Sequence, residues 1–332
     1  MKLEDMIIVP SKDKFRFLSL VSNDDFEFNQ FGLDSVMLIL KGTEQLGEET
    51  QFIKHILREY LAEGQFEYPR VQTEQFSNLA VEVIQKCNLK CKHCYLDDKK
   101  ANERISLSTF KSLIDQAYDL GASQVSITGG EPFVDKSIFE KVQYARSKDM
   151  RVTINTNGVL IDETKAKRLK ELRVALLTLT LNGDKQSHEY LYGKETYEPT
   201  LNAIKVLKEN GLDVNLNFIA YKDNLSQYIP FKSEMKTQFG ISKVDAFPVS
   251  FDGSARRNLD VMLSPQEKLE HNLPDGCNQS YERGLTCGAG RTMLFVKSNG
   301  NVTPCSQLAD TNVGNIYEYT LQELINKMEI KR

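Results

Sequence analysis

The chain has 332 residues, of which 40% are hydrophobic and 27% charged, and a net charge of −4. That length holds a barrel-sized domain with one or two small ones, in a composition ordinary for a globular protein. The mildly acidic balance gives no footing for a nucleic-acid backbone or an anionic membrane, and no apolar run approaches the ~20 residues that cross a bilayer. The acidic start, Met1 to Met6, is not a signal peptide, so a cytoplasmic protein is expected. In that compartment cysteines read as metal ligands rather than disulfides, and the six present fall in two groups of three.

Phe15-Arg16-Phe17 and Phe26-Glu27-Phe28 alternate apolar with polar, the period of half-exposed strands, with turn chemistry at Asn23-Asp24-Asp25 between them. Leu33, Val36, Met37 and Leu40 follow helical spacing up to a stop at Lys41-Gly42. Phe52, Ile53, Ile56, Leu57, Tyr60 and Leu61 share the face of a second helix that ends before Gly64. Residues 1–66 thus form a small winged-helix-like α+β module. It resembles the PqqD-like peptide-recognition domain fused to many maturases of ribosomally made peptides. The resemblance implies that the leader of a precursor peptide binds as an added strand, because an exposed strand edge offers unpaired backbone groups. A structural extension covering one end of the next domain is the competing reading. Residues 67–78 show no periodicity and contain Pro69, so they read as a linker.

A mostly apolar run over 79–84 predicts a strand, and directly after it comes Cys87-Asn88-Leu89-Lys90-Cys91-Lys92-His93-Cys94-Tyr95. Three thiolates on one short loop hold three corners of a four-iron cluster and leave the fourth iron open. Zinc is the rival, although a C-x2-C half-site normally needs a second half. Structural core cysteines would not be interleaved with Lys90, Lys92 and His93. The C-x3-C-x2-C spacing resembles the signature of the radical S-adenosylmethionine (radical SAM) superfamily, with His93 in the place of the aromatic or similar residue before the last cysteine. The resemblance implies a [4Fe-4S] cluster on Cys87, Cys91 and Cys94 whose open iron is chelated by S-adenosylmethionine. It also implies one-electron cleavage to a 5'-deoxyadenosyl radical, with an external electron donor such as flavodoxin or ferredoxin.

Strand and helix then alternate. Helices are predicted over 106–120, with Ser108 as N-cap, and over 136–148, 163–172, 200–210 and 225–238. Strands are predicted over 124–128, 151–155, 174–181, 214–220 and 244–249. Six β/α units place the chain in the α/β class and match the partial (β/α)6, TIM-like barrel of the family, here residues 79–257. Chemistry in such barrels lies at the C-terminal strand ends. Thr128-Gly129-Gly130-Glu131-Pro132 closes the second strand, and the family binds the methionyl amino group at this motif. Asn155-Thr156-Asn157-Gly158 resembles the family's TNG element beside the cofactor, and by itself is also an Asn-Gly turn. Thr180-Leu181-Asn182-Gly183 stands where relatives read Ser-hydrophobic-Asp-Gly. The resemblance therefore makes Gly129, Gly130, Glu131, Pro132, Asn155, Asn157, Thr180 and Asn182, with His93, the candidate cofactor contacts. Tyr192 stands where relatives commonly carry Arg, and a phenol offers one neutral donor in place of a guanidinium fork, so that role is not carried over. Arg256 and Arg257 after Gly253 are either partners for a substrate or cofactor carboxylate or a solvated pair.

From Cys287, twelve residues lead to Gly300 and four more to Cys305. This C-x12-G-x4-C pattern resembles the opening of the auxiliary-cluster domain SPASM, or its shortened form Twitch, over residues 258–332. The resemblance implies one auxiliary iron–sulfur cluster, of [4Fe-4S] type, on Cys277, Cys287 and Cys305. No cysteine follows Cys305, so an iron is left open for a soft substrate thiolate. Asp275, Asp310, His271 or a neighbouring chain are the alternative fourth ligands, and zinc is the alternative metal. The expected function is maturation of a ribosomally made peptide by a thioether crosslink from a peptide cysteine. Carbon–carbon crosslinking or epimerisation is the alternative chemistry. The alternative of another class is a non-catalytic metal-binding peptide-recognition protein.

Overall fold

The computed structural model of the chain describes residues 6–11, 14–40, 47, 50–51, 53, 70–71, 76–96, 103–271, 273, 288–290, 292–308 and 310–329. The N-terminal module contains β1 (Met6–Ser11), β2 (Lys14–Ser19), β3 (Asp25–Asn29) and α1 (Gln30–Leu40). Its strands run in the order β3-β2-β1-β4, where β4 (Arg70–Val71) pairs parallel with Ile7 and Ile8 of β1. Both β1 and β4 escaped the sequence reading, which placed Arg70 and Val71 in a linker. Backbone pairing across some sixty residues leaves no local pattern to read. Met6, Ile8, Phe17, Val36, Ile39 and Ile53 make the small core, and Phe28 meets Phe17 edge-on at 5.2 Å. Lys41-Gly42 and most of the second predicted helix lie outside the described residues.

The barrel begins at β5 (Asn78–Glu82) and continues with α2 (Leu107–Asp119), β6 (Gln124–Thr128), α3 (Ile138–Ser147), β7 (Arg151–Thr156), α4 (Glu163–Glu171) and β8 (Leu176–Thr180). It is completed by α5 (Lys185–Tyr192), α6 (Tyr197–Glu209), β9 (Val214–Ala220), α7 (Tyr228–Phe239) and β10 (Val244–Pro248). The six strands are parallel neighbours in chain order, as six consecutive β/α units require. The helices are built from familiar signals. In α2, Phe110, Leu113, Ile114 and Ala117 recur on one face and are buried against the sheet. Its N-cap is Ser106, whose hydroxyl accepts from the Thr109 N–H, rather than Ser108. Asp162 caps α4, with Glu163 in the first turn and Arg168 and Lys170 in the last, each sign on the favourable end of the helix dipole.

The C-terminal segment does not stand apart. β11 (Met293–Val296) pairs parallel with β5, and β12 (Asn301–Thr303) and β13 (Gly314–Asn315) follow antiparallel, so one sheet of nine strands runs from β10 to β13. α8 (Leu321–Glu329) closes this end, where the Leu321 N–H donates to Gln116 of α2 at 2.9 Å. Among the described residues no helix is long and apolar enough to cross a membrane.

The module sits at the N-terminal end of the barrel strands, away from the loops that carry the motifs. Buried Arg151, the first residue of β7, donates through Nε to the Ser19 carbonyl (2.9 Å) and through Nη2 to the Ser22 carbonyl (3.2 Å). Arg146 donates to the Leu20 carbonyl, and Asp213 accepts from the Asn23 N–H. The turn between β2 and β3 is thus held almost wholly through its backbone. Replacing Arg151 by Ala strips buried carbonyls of their donor, and the expected effect is a loss of about 2–3 kcal/mol. Thermal unfolding of Arg151→Ala, expected several degrees below the parent, checks this.

Candidate active site at the C-terminal strand ends

The cysteine loop leaves β5 and is braced from four sides. The Gly130 N–H donates to the Ile84 carbonyl (2.7 Å) and the Glu131 N–H to the Lys86 carbonyl (3.0 Å). A Cβ added to Gly129 would strike the Ile84 oxygen, and one added to Gly130 would strike the oxygens of Gln85 and Lys86. The glycine pair is therefore required for close approach to the base of the cysteine loop. From α5, the Leu191 carbonyl accepts from the Lys92 N–H at 2.9 Å. From the loop after β10, the Ser254 N–H donates to the Cys94 carbonyl at 2.7 Å, and a Cβ on Gly253 would collide with that same oxygen. The fourth brace is Asn157, whose side-chain amide donates to Asn88 Oδ1 at 2.8 Å.

Glu131 does not present its carboxylate outward. It is fully buried and accepts from the Phe133 N–H (3.1 Å), the Thr156 hydroxyl (2.8 Å) and the Asn157 N–H (2.9 Å). The side chain ties the loop after β6 to the loop after β7. Desolvation outweighs those three donors and raises the Glu131 carboxyl from 4.5 to about 6. Asn182 is likewise engaged within the protein. Fully buried, its amide both donates to the Ile219 carbonyl (2.9 Å) and accepts from the Ile219 N–H (2.9 Å). Both ends of the amide thus clasp β8 to β9. Asn155 faces the barrel interior, and Thr180 lies half-buried at the end of β8.

Beneath the loop, His93 meets the Tyr192 ring at 4.8 Å, and Tyr192 stacks on His188 at 4.3 Å. Burial, then the neighbouring His93, lowers His188 to about 3, so it is neutral near pH 7. Its Nδ1 accepts from the Asn182 N–H at 3.4 Å, which assigns the proton to Nε2. That Nε2 and the Tyr192 hydroxyl are buried without a hydrogen-bond partner among the described residues. Burial and the nearby Cys91 thiol push the Tyr192 phenol well above its usual value. Unpartnered polar atoms beside three half-exposed thiols fit a site completed by a group other than protein. Among the described residues, no three cysteine, histidine or acidic side chains are arranged to hold a single metal ion, whereas a cubane spreads its ligands over separate irons.

Inside the barrel lies a chamber of about 370 Å3. Asn78, Ser126, Asn155 and Asn217 line it from the strands, Ser250 and Asp252 from the loop after β10, and Ser306 and Gln307 from the segment after β12. Tyr95, Met293 and Phe295 add apolar surface. Tyr95, next to Cys94, is the wall residue that sequence reasoning missed. Its hydroxyl donates to Glu82 (3.3 Å), and Glu82 accepts from the Ser298 hydroxyl of the β11–β12 hairpin (2.6 Å). Burial raises the Glu82 carboxyl. The visible signal was a lone acid inside the apolar run over 79–84. Cys305 is buried at the end of β12, whereas Cys277 and Cys287 lie outside the described residues.

Comparison with known proteins agrees with this geometry. Residues 81–226 match the radical SAM superfamily, and residues 287–332 match SPASM, an iron–sulfur cluster-binding domain. An AdoMet-dependent heme synthase of Nitratidesulfovibrio vulgaris is 31% identical over 293 residues, covering 76% of this chain and 79% of the relative. The chain belongs to the radical SAM superfamily. The radical SAM domain binds S-adenosylmethionine and a [4Fe-4S] cluster, and the SPASM domain binds auxiliary iron–sulfur clusters. A PqqA peptide cyclase of Gluconobacter oxydans is 24% identical over 273 residues, covering 75% of this chain and 76% of the relative. In fold, the chain is similar to Streptococcus suis SuiB bound to its precursor peptide SuiA, with TM-score 0.66, 15% identity, and coverage of 97% and 87%. The chain spans as little as 52% of the length of some curated relatives and up to 83% of others.

The Glu131 carboxyl yields a pH prediction. Its folded value of about 6 lies above the unfolded 4.5, so the folded protein holds this proton more tightly. The resulting stability is complete below about pH 4.5 and is lost as pH rises through 6, a change of about 2 kcal/mol. Denaturant unfolding between pH 4 and 7 is expected to show this decline in the parent and not in Glu131→Gln.

Proposed function

We propose that the chain modifies a ribosomally made peptide by radical chemistry, joining a peptide cysteine to a second residue through a thioether. The observation that carries the peptide reading is the chamber beside the cysteine loop, lined by neutral amides and hydroxyls from both the barrel and the C-terminal segment. Such groups pair with the backbone of an extended chain and with neutral side chains. Asp252, its one acid among the described residues, is engaged by the Ser250 hydroxyl (2.6 Å) and by Arg256 (3.3 Å). An iron porphyrin, suggested by the heme synthase relative, carries carboxylates that call for cations. No lysine, arginine or histidine lines the chamber among the described residues.

When bound, the cofactor and its cluster supply a radical that removes a hydrogen atom from a substrate carbon. Cys87, Cys91 and Cys94 would hold the cluster, and the backbone of Gly129 and Gly130 would receive the cofactor's amino group. The Tyr95 ring and the chamber amides orient the peptide beside them. Cys277, Cys287 and Cys305 are the candidate ligands of the auxiliary cluster, and a substrate thiolate suits an open corner of it. Asp310, 93% exposed and 3.9 Å from Arg256, and exposed His271 are less suited to that corner. In the N-terminal module, β3 pairs with β2 on one side only among the described residues, which suits a leader peptide added as a strand. The electron comes from an external carrier such as flavodoxin or ferredoxin, with the cytoplasm as the compartment.

The test uses the reduced, anaerobically reconstituted enzyme with S-adenosylmethionine and the peptide encoded by a short reading frame beside its gene. Mass spectrometry is expected to show 5'-deoxyadenosine together with a peptide lighter by two hydrogens, and no such loss when the precursor cysteine is changed to serine. A persisting loss means carbon–carbon crosslinking, and solvent deuterium uptake without mass loss in ordinary water means epimerisation. Turnover of an iron porphyrin in place of the peptide overturns the reading.

A further inference from the structure

Asn157, in the turn after β7, is held in one orientation by its own neighbours. Its N–H donates to Glu131 Oε2 (2.9 Å), and its carbonyl accepts from the Thr200 hydroxyl (2.9 Å). Its side-chain Oδ1 accepts from the Val159 N–H at 3.0 Å, and this contact decides which end of the amide is oxygen. The NH2 end therefore faces the cysteine loop. Nδ2 carries two hydrogens: one is directed at Asn88 Oδ1 (2.8 Å), and Cys87 Sγ lies 3.8 Å from the same nitrogen. The Leu89 N–H reaches the same sulfur at 3.4 Å.

N–H groups aimed at a ligating thiolate stabilise the more negative, reduced form of an iron–sulfur cluster and raise its reduction potential. We propose that Asn157 is a positioning residue directed at sulfur: its side-chain amide donates to the Cys87 thiolate and raises the potential at which the radical SAM cluster takes up its electron. This differs from a cofactor contact, the role its TNG setting suggests. It also makes the GGEP carboxylate part of the cluster's environment, because Glu131 fixes the Asn157 backbone from which the amide projects. The inference rests on family membership and on this geometry, and holds whatever the substrate.

An EPR-monitored redox titration of the anaerobically reconstituted protein, without S-adenosylmethionine, reads this directly, with the auxiliary cluster as an internal reference. In Asn157→Ala the radical SAM cluster is expected to shift to a more negative midpoint, with the auxiliary midpoint, iron content and calorimetric affinity for S-adenosylmethionine unchanged. An unchanged midpoint overturns the proposal. A lowered affinity with an unchanged midpoint makes Asn157 a cofactor contact and overturns it too. If Asn157→Ala fails to load its cluster, Asn157→Leu decides, since it keeps much of the side-chain volume, adds no charge and lacks both amide hydrogens. A more negative midpoint there supports the role, and an unchanged one refutes it.

Discussion

The site depends on one close approach, the backbone of Gly129 and Gly130 against the backbone of Ile84 to Lys86. Parallel strands deliver their loops to one end of a barrel, but they do not by themselves fix a long loop carrying three thiols. The glycine pair does so at its root, because backbone bonds can be made only where no Cβ intervenes. Glu131 then extends the same contact sideways to Thr156 and Asn157. Loops after three successive strands are tied into one unit, and the cysteine loop rests on it.

The far side of the loop is closed by elements that come later in the chain. α5 and the turn at Gly253 brace Lys92 and Cys94 through backbone bonds, and Glu82 joins Tyr95 to the β11–β12 hairpin. Because β11 pairs with β5, the auxiliary segment belongs to the same sheet as the strand that leads into the cysteines. The chamber is consequently a shared space, with walls from both parts, and its neutrality decides which substrates suit it. The N-terminal module takes the opposite end, gripped by Arg151 and Arg146.

Much of this was legible in the sequence, and the exceptions share a cause. Buried parallel strands announce themselves as short apolar runs, so β6 and β9 have the predicted limits. The cysteine spacing and GGEP are local patterns that need no partner to be seen. α5 was missed because its eight residues are mostly polar and bury only one face beneath the loop. The structural bonds of Asn182 and Glu131 were not legible for a different reason: their partners, Ile219 and Asn157, lie 37 and 26 residues away. A polar side chain near a motif looks available until the backbone it serves is known. β4, Tyr95 and the Glu82–Ser298 bond are likewise products of long-range pairing.

The central claim is that backbone packing by the glycine pair builds the cluster site, and the most direct measurement is cluster loading in Gly130→Ala. A methyl group there has no space between Gln85 and Lys86. Anaerobically reconstituted Gly130→Ala is expected to keep its circular dichroism spectrum and the auxiliary cluster, yet to lose the radical SAM cluster by iron content and EPR. Full iron content with an unchanged EPR signal would contradict it.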